Sequence, residues 1–174
     1  MEILLAIERE LVGRFIDAAV NNPSEALRLL GSNPDLRTAH WNLGQSALHF
    51  LAIESRADAV SLLLQNGWDP NAVNEFGDTP LIDACLLGNI EIAKLLLENG
   101  ADPNATSDTH DNALHCCIRN GNAGLLDLLI SSGADPQYIT SLGDTIFDNW
   151  PNNPKKQNAL TEALAKHNVH RITK

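Results

Sequence analysis

Between Gly77 and Ala105 the apolar positions are set out for two short helices and a turn rather than for one long element. Ile90, Ala93, Leu96 and Leu97 recur at three- and four-residue spacings, which predicts a helix with those four side chains on one buried face. A shorter helix before it starts at Thr79-Pro80, because a hydroxyl can cap free amide donors and proline tolerates the first turn. Gly88 divides the two helices, and Gly100 supplies the left-handed stop of the second. The segment that follows, ADPNATSDTHD from Ala101, is polar and turn-rich and predicts an extended finger.

This arrangement recurs with a period of 33 residues. GQSALHFLA from Gly44, GDTPLIDAC from Gly77, HDNALHCCI from His110 and GDTIFDNWP from Gly143 share one register. A second block keeps step with it: LLLQNGWDPNA from Leu62, LLLENGADPNA from Leu95 and LLISSGADPQY from Leu128. Burying the leucines of one copy yields roughly 1.5–3 kcal/mol each, against about 1–2 kcal/mol for ordering each backbone residue. A single copy therefore loses to chain entropy, and the copies must stack.

The two blocks resemble the ankyrin repeat, with its TPLH-like motif followed by LLL-x-x-GAD-x-N. The resemblance implies an all-α repeat solenoid in one domain, a stack of helix-turn-helix units joined by hairpin-like finger loops. Residues 41–73, 74–106 and 107–139 read as full repeats. Residues 1–40 read as an N-terminal capping repeat, with a helical face at Leu11, Phe15, Ala18 and Ala19, a restart at Asn22-Pro23-Ser24-Glu25, then Leu27, Leu29 and Leu30. Residues 140–174 read as an irregular capping repeat, disturbed by Pro151 and Pro154 before ALTEALAKH and a frayed tail.

Composition narrows the partner. A formal net charge of −10 and a pI near 4.8 argue against nucleic acid and anionic membranes and favour a basic protein surface. The start, MEILLAIERELVGRF, is interrupted by Glu2, Glu8 and Glu10 and lacks a basic leader, so it reads as an amphipathic helix rather than a signal peptide. Cys85, Cys116 and Cys117 leave one thiol over under any internal pairing, which favours a reduced cytoplasmic chain.

Few residues suggest chemistry. His49 and His115 hold the histidine position of the TPLH-like motif, which the resemblance assigns to hydrogen bonding between adjacent repeats. His40, His110, His167 and His170 show no metalloprotease spacing, and His167 with His170 makes at most a weak metal pair, so no metal or cofactor is expected. Asp69, Asp102 and Asp135 recur at one turn position, where turn hydrogen bonding is the expected use. The three cysteines fall on small packed positions. No nucleophile motif or phosphate loop is present, and the chain is not expected to be an enzyme.

In the family that the chain resembles, finger tips and the exposed end of each first helix line a concave surface, and these positions vary because the core does not need them. Mapped onto this sequence, the fingers give Asn42, Leu43 and Gln45; Glu75, Phe76 and Asp78; Asp108, Thr109 and Asp111; and Ser141, Leu142 and Asp144. The helix positions are Ile53 and Glu54, Leu86 and Leu87, and Arg119 and Asn120. Leu43, Ile53, Phe76, Leu86 and Leu87 make an apolar patch ringed by carboxylates, with Arg119 the opposing cation. Two readings stay open: these residues contact a partner, or the apolar ones pack between fingers while the acids keep the chain soluble. Trp41, Trp68 and Tyr138 are secondary candidates, either packing residues or contacts. The expected function is protein binding by a monomer, with self-association through the end repeats as the alternative.

Overall fold

The computed structural model describes residues 2–109 and 111–170; within these, nothing is said of the side chains of residues 2–8, Asn42 and Asp111. His110 and the end of the expected frayed tail, residues 171–174, lie outside the described residues. Four helix pairs follow one another: α1 (Glu2–Asn21) with α2 (Pro23–Ser32), α3 (Ala47–Ile53) with α4 (Ala57–Gln65), α5 (Pro80–Leu86) with α6 (Ile90–Glu98), and α7 (Ala113–Asn120) with α8 (Ala123–Ser131). A last helix, α9 (Pro154–Lys166), follows an irregular stretch. Strand structure among the described residues is confined to β1 (Thr106–Ser107) and β2 (Asp111–Asn112), a short antiparallel hairpin pairing Thr106 with Asn112.

Local chemistry sets the helix boundaries. Thr79 accepts the Ile82 amide on its hydroxyl at 3.3 Å, with Pro80 in the first turn, as the sequence predicts. Asn22, Asn89 and Asn122 each accept an amide three residues on and so begin α2, α6 and α8. Gly88 and Gly100 hold positive φ of 76° and 91°, which lets the chain turn out of α5 and α6 without steric cost.

The helices form two layers. α1, α3, α5 and α7 pack in succession as an inner row, and α4, α6, α8 and α9 as an outer row. Leu48, Leu51, Leu81, Ile82, Leu114 and Ile118 fill the space along the inner helices; Val60, Leu63, Ile92, Leu96, Leu125 and Leu129 do so from the outer ones. Each repeat thus buries leucines against its neighbours, which is why the units are stable only as a stack.

One expectation about the core needs correcting. Ile90 does not share the buried face of α6 but is 49% exposed, and Ile92 takes its place beside Ala93 and Leu96. Ile90 is the first residue of α6, so its side chain leaves the α5–α6 interface and reaches toward Gly124 of the next unit. Leu27, on α2, is likewise exposed.

The stretch 143–150 forms turns in place of an inner helix. Asp148 accepts both the amide and the hydroxyl of Thr145, at 2.6 and 2.7 Å, closing the chain on itself, and Pro151 has no amide to continue a helix. Ile146 is buried, while the rings of Phe147 and Trp150 lie 5.6 Å apart against the core. α9 then packs on α8, and Lys156 donates to the Asn120 carbonyl at 2.8 Å across the end of α7.

Candidate protein-binding face

The fingers are built from one device used repeatedly. Asn74 accepts the amides of Phe76 and Asp78 on its side-chain oxygen at 2.8 and 3.0 Å, and its own amide donates to the Asp78 carbonyl. In the last finger, Thr140 does the same for Leu142 and Asp144, at 3.2 and 3.0 Å. Ser107 accepts the Thr109 amide in the third finger. Trp41 stands at this register position in the first finger and has no acceptor to offer; there Leu43 takes φ 58°, while Gly44 at φ 70° matches Gly77 and Gly143 of the other fingers. Neighbouring fingers are joined by backbone: the Glu75 amide donates to the Leu43 carbonyl and the Asp108 amide to the Phe76 carbonyl, both at 3.0 Å.

These bonds hold the finger tips rigid with their side chains outward. Leu43, Phe76 and Leu142 are 54%, 41% and 86% exposed, and Leu87 is also exposed. Glu54, Glu75, Asp108 and Ser141 are exposed, as are Thr109 and Arg119. Gln45, Ile53, Leu86, Asn120 and Asp144 are half-buried; Leu86 packs on the core, and the Asn120 amide group donates to the Leu86 carbonyl at 2.7 Å.

Asp78 is a correction to the expected contact set. It is only 3% exposed, because its amide is held by Asn74 and its carbonyl by His49, which draws the residue beneath the finger. Asp111 belongs to β2, and its side chain lies outside the described residues. The structure also adds apolar surface that the sequence reading missed. Val73 and Ile139 are exposed at the finger stems, and their shared 33-residue register was the available signal.

The candidate chemical residues are accounted for by packing and bridging. The amide of Ser46 donates to His49 Nδ1 at 3.2 Å, and Nε2 meets the Asp78 carbonyl of the next repeat at 2.9 Å, which fixes the neutral ring with its proton on Nε2. Burial lowers the His49 pKa against the opposing pull of that carbonyl. His115 contacts Asn112 within its own turn and meets the edge of half-buried Tyr138 at 5.9 Å. The three cysteines are buried and form no disulfide; burial pushes Cys116 up to about 12, and Cys117 is raised first by its hydrogen bond with Cys85. Such thiols are poor nucleophiles.

His167 pairs with Asp127 at 2.7 Å, and this bond lowers the Asp127 pKa. No group of three or more His, Cys, Asp or Glu side chains is placed to hold a metal ion among the described residues. Nor, among them, is any helix long and apolar enough to cross a membrane.

The repeated aspartates bind turn amides, as expected: Asp69, Asp102 and Asp135 accept from residues 71, 104 and 137 at 2.8–2.9 Å. Beside them runs a ladder between repeats. Asn71 donates to the Gly100 carbonyl and accepts the Asp102 amide, and Asn104 repeats both bonds with Gly133 and Asp135. Trp68 is buried, stacked on Phe15 at 5.2 Å with Arg37 over its ring, so it serves the core. Trp41 is half-buried and stacks on Phe50 at 5.9 Å.

Comparison with known proteins agrees with this architecture. A model of three ankyrin repeat copies matches residues 15–107, and a single ankyrin repeat matches residues 109–141. The E3 ubiquitin-protein ligase XBAT33 of Arabidopsis thaliana is 42% identical over 69 residues, covering 39% of this chain and 14% of the ligase. The probable E3 ubiquitin-protein ligases XBOS33 and XBOS32 of Oryza sativa subsp. japonica are 38% and 37% identical over 81 residues, 45% of this chain and 16% of each relative. The match therefore spans only a small part of these relatives. Stacked helix pairs, their fingers and the family match make the module one for protein–protein interaction. The chain belongs to the ankyrin repeat family.

Proposed function

We propose that the chain acts by occupation, as a non-enzymatic module whose finger-and-inner-helix face holds one partner protein with a basic surface. The observation that supports this reading most is the exposure of the apolar finger residues Leu43, Phe76 and Leu142 and of Leu87 at the end of α5, together with the exposed carboxylates Glu54, Glu75 and Asp108. The fold has no use for these side chains outside, and a partner does: leucine and phenylalanine anchor, while carboxylates steer a cationic surface. Inhibitor, antitoxin-like neutraliser, adaptor and assembly chaperone are the roles open to such a module. The ligase activity in the names of the plant relatives is not proposed for this chain, since the aligned stretch is a small share of each.

Residues 1–40 and 140–174 act in this reading as capping repeats around full repeats 41–73, 74–106 and 107–139, and three buried cysteines outside any disulfide suit a reducing, cytoplasmic setting. A second reading, self-association through the end repeats, is favoured by exposed Leu142 in the last unit and by exposed Ile139 at the end of the repeat before it. It requires a mass that rises with concentration in sedimentation, where the leading reading requires a constant monomer.

The test is affinity capture from the source cell's lysate with the natural chain and a Phe76→Glu, Leu87→Glu variant as parallel baits. Leu87 is chosen because it is exposed, whereas Leu86 packs inward. A basic protein retained by the natural chain, released by raised salt and lost with the variant is the expected result. Equal retention by both baits would remove this face from the account.

A further inference from the structure

Between α1 and the end of α3 lies an open crevice of about 320 Å³ lined by Trp41, Phe50, Asp17, Glu54 and Arg56, with Gly13 at its back. The rings of Trp41 and Phe50 stack at 5.9 Å with planes 11° apart, so the wall is a two-layer aromatic plate in which each ring covers part of one face of the other. Gly13 makes room for it, because a Cβ there would stand 3.0 Å from Trp41 Cη2. Asp17 and Glu54 are exposed beside the plate. Among the described residues neither carboxylate forms an ion pair, and Arg56 is paired with neither.

The sequence around the crevice departs from its own repeat. Where the later units carry Gly88-Asn89 and Gly121-Asn122, this one carries Ser55-Arg56. Ser55 therefore takes a positive φ of 56° that glycine adopts freely elsewhere, and Arg56, just before α4, makes no side-chain cap of the kind that Asn89 and Asn122 provide. Local stability has been given up where the crevice opens, a pattern typical of functional sites.

We propose that this crevice receives one arginine side chain of the partner protein. The inference rests on the reading of the chain as a binder of a basic surface and names the anchor of that surface. A guanidinium stacks on an aromatic face and binds carboxylates in a fixed fork, which matches the Trp41–Phe50 stack flanked by Asp17 and Glu54. The volume suits one long side chain and little more. Arg56 sets the limit on affinity, since it repels the entering cation from the α4 side.

The probe is acetyl-Gly-Gly-Arg-Gly-Gly-amide, titrated against the full chain while the indole resonance of Trp41, assigned with Trp41→Phe, is followed by NMR. The arginine peptide should move that resonance saturably, and the same peptide with neutral citrulline should not. Glu54→Gln should weaken binding about fivefold, the scale of one exposed charge contact, and Arg56→Gln should strengthen it. Equal shifts with citrulline, a response instead to the same peptide carrying glutamate in place of arginine, or an unmoved Trp41 would overturn the assignment. If the crevice fails while the Phe76→Glu, Leu87→Glu variant still loses partner capture, the binding face survives and only its anchor is wrong.

Discussion

His49 joins two repeats through one ring, taking the Ser46 amide on Nδ1 and giving its Nε2 proton to the Asp78 carbonyl. His49→Ala leaves the buried Ser46 amide without this acceptor and takes one of two donors from the Asp78 carbonyl, which keeps the Asn74 amide, and should cost about 1–3 kcal/mol in urea unfolding. The pH dependence follows from the lowered pKa. Below about pH 6.5 the unfolded chain takes up a proton that the folded ring refuses, so stability is full above that pH and falls as pH drops toward the folded value. Unfolding curves of the natural chain and His49→Gln, compared between about pH 7.5 and 5.5, should converge on the acid side; parallel curves would contradict a neutral buried ring. The role of His49 was legible in the sequence because it belongs to a motif. The burial of Asp78 was not, because it depends on how Asn74 folds the turn rather than on the character of Asp78 itself.

At the scale of elements, each repeat turns on a glycine, but the glycines are not equivalent. Gly100 holds φ 91° with open space around it, so Gly100→Ala meets only the backbone preference and should cost about 1 kcal/mol. Gly121 holds φ 68° directly under the Lys156 side chain of α9, and a Cβ there runs into that chain. Gly121→Ala should therefore cost distinctly more, and amide exchange should accelerate in α9, while Gly100→Ala leaves α9 unchanged. Helix boundaries of this kind were readable from Thr79-Pro80, Gly88 and Gly100, since each acts within a few residues. The ladder of Asn71 and Asn104 was not, because it links groups 29 and 31 residues apart and exists only once the repeats stack. The missing inner helix at 143–150 stands between these cases: its prolines announce disruption, but not the turn that Asp148 closes with Thr145.

For the whole molecule, the 33-residue register carried the fold because stacking reuses the same buried positions, and it located the finger tips for the same reason. It was silent on the crevice, whose walls come from α1, the first finger base and the end of α3, positions related by packing and not by period. On the proposed function, the two helix layers are a frame and the fingers with the inner-helix ends are the working surface. Division of labour of this kind has a direct signature in hydrogen exchange. The decisive measurement is amide exchange of the chain with and without its captured partner. Protection gained at residues 43–45, 54–56, 75–77 and 108–109, with the exposed sides of α4, α6 and α8 unchanged, is the predicted result. Protection appearing on α4, α6 and α8 while the fingers exchange as before would contradict the account at its centre.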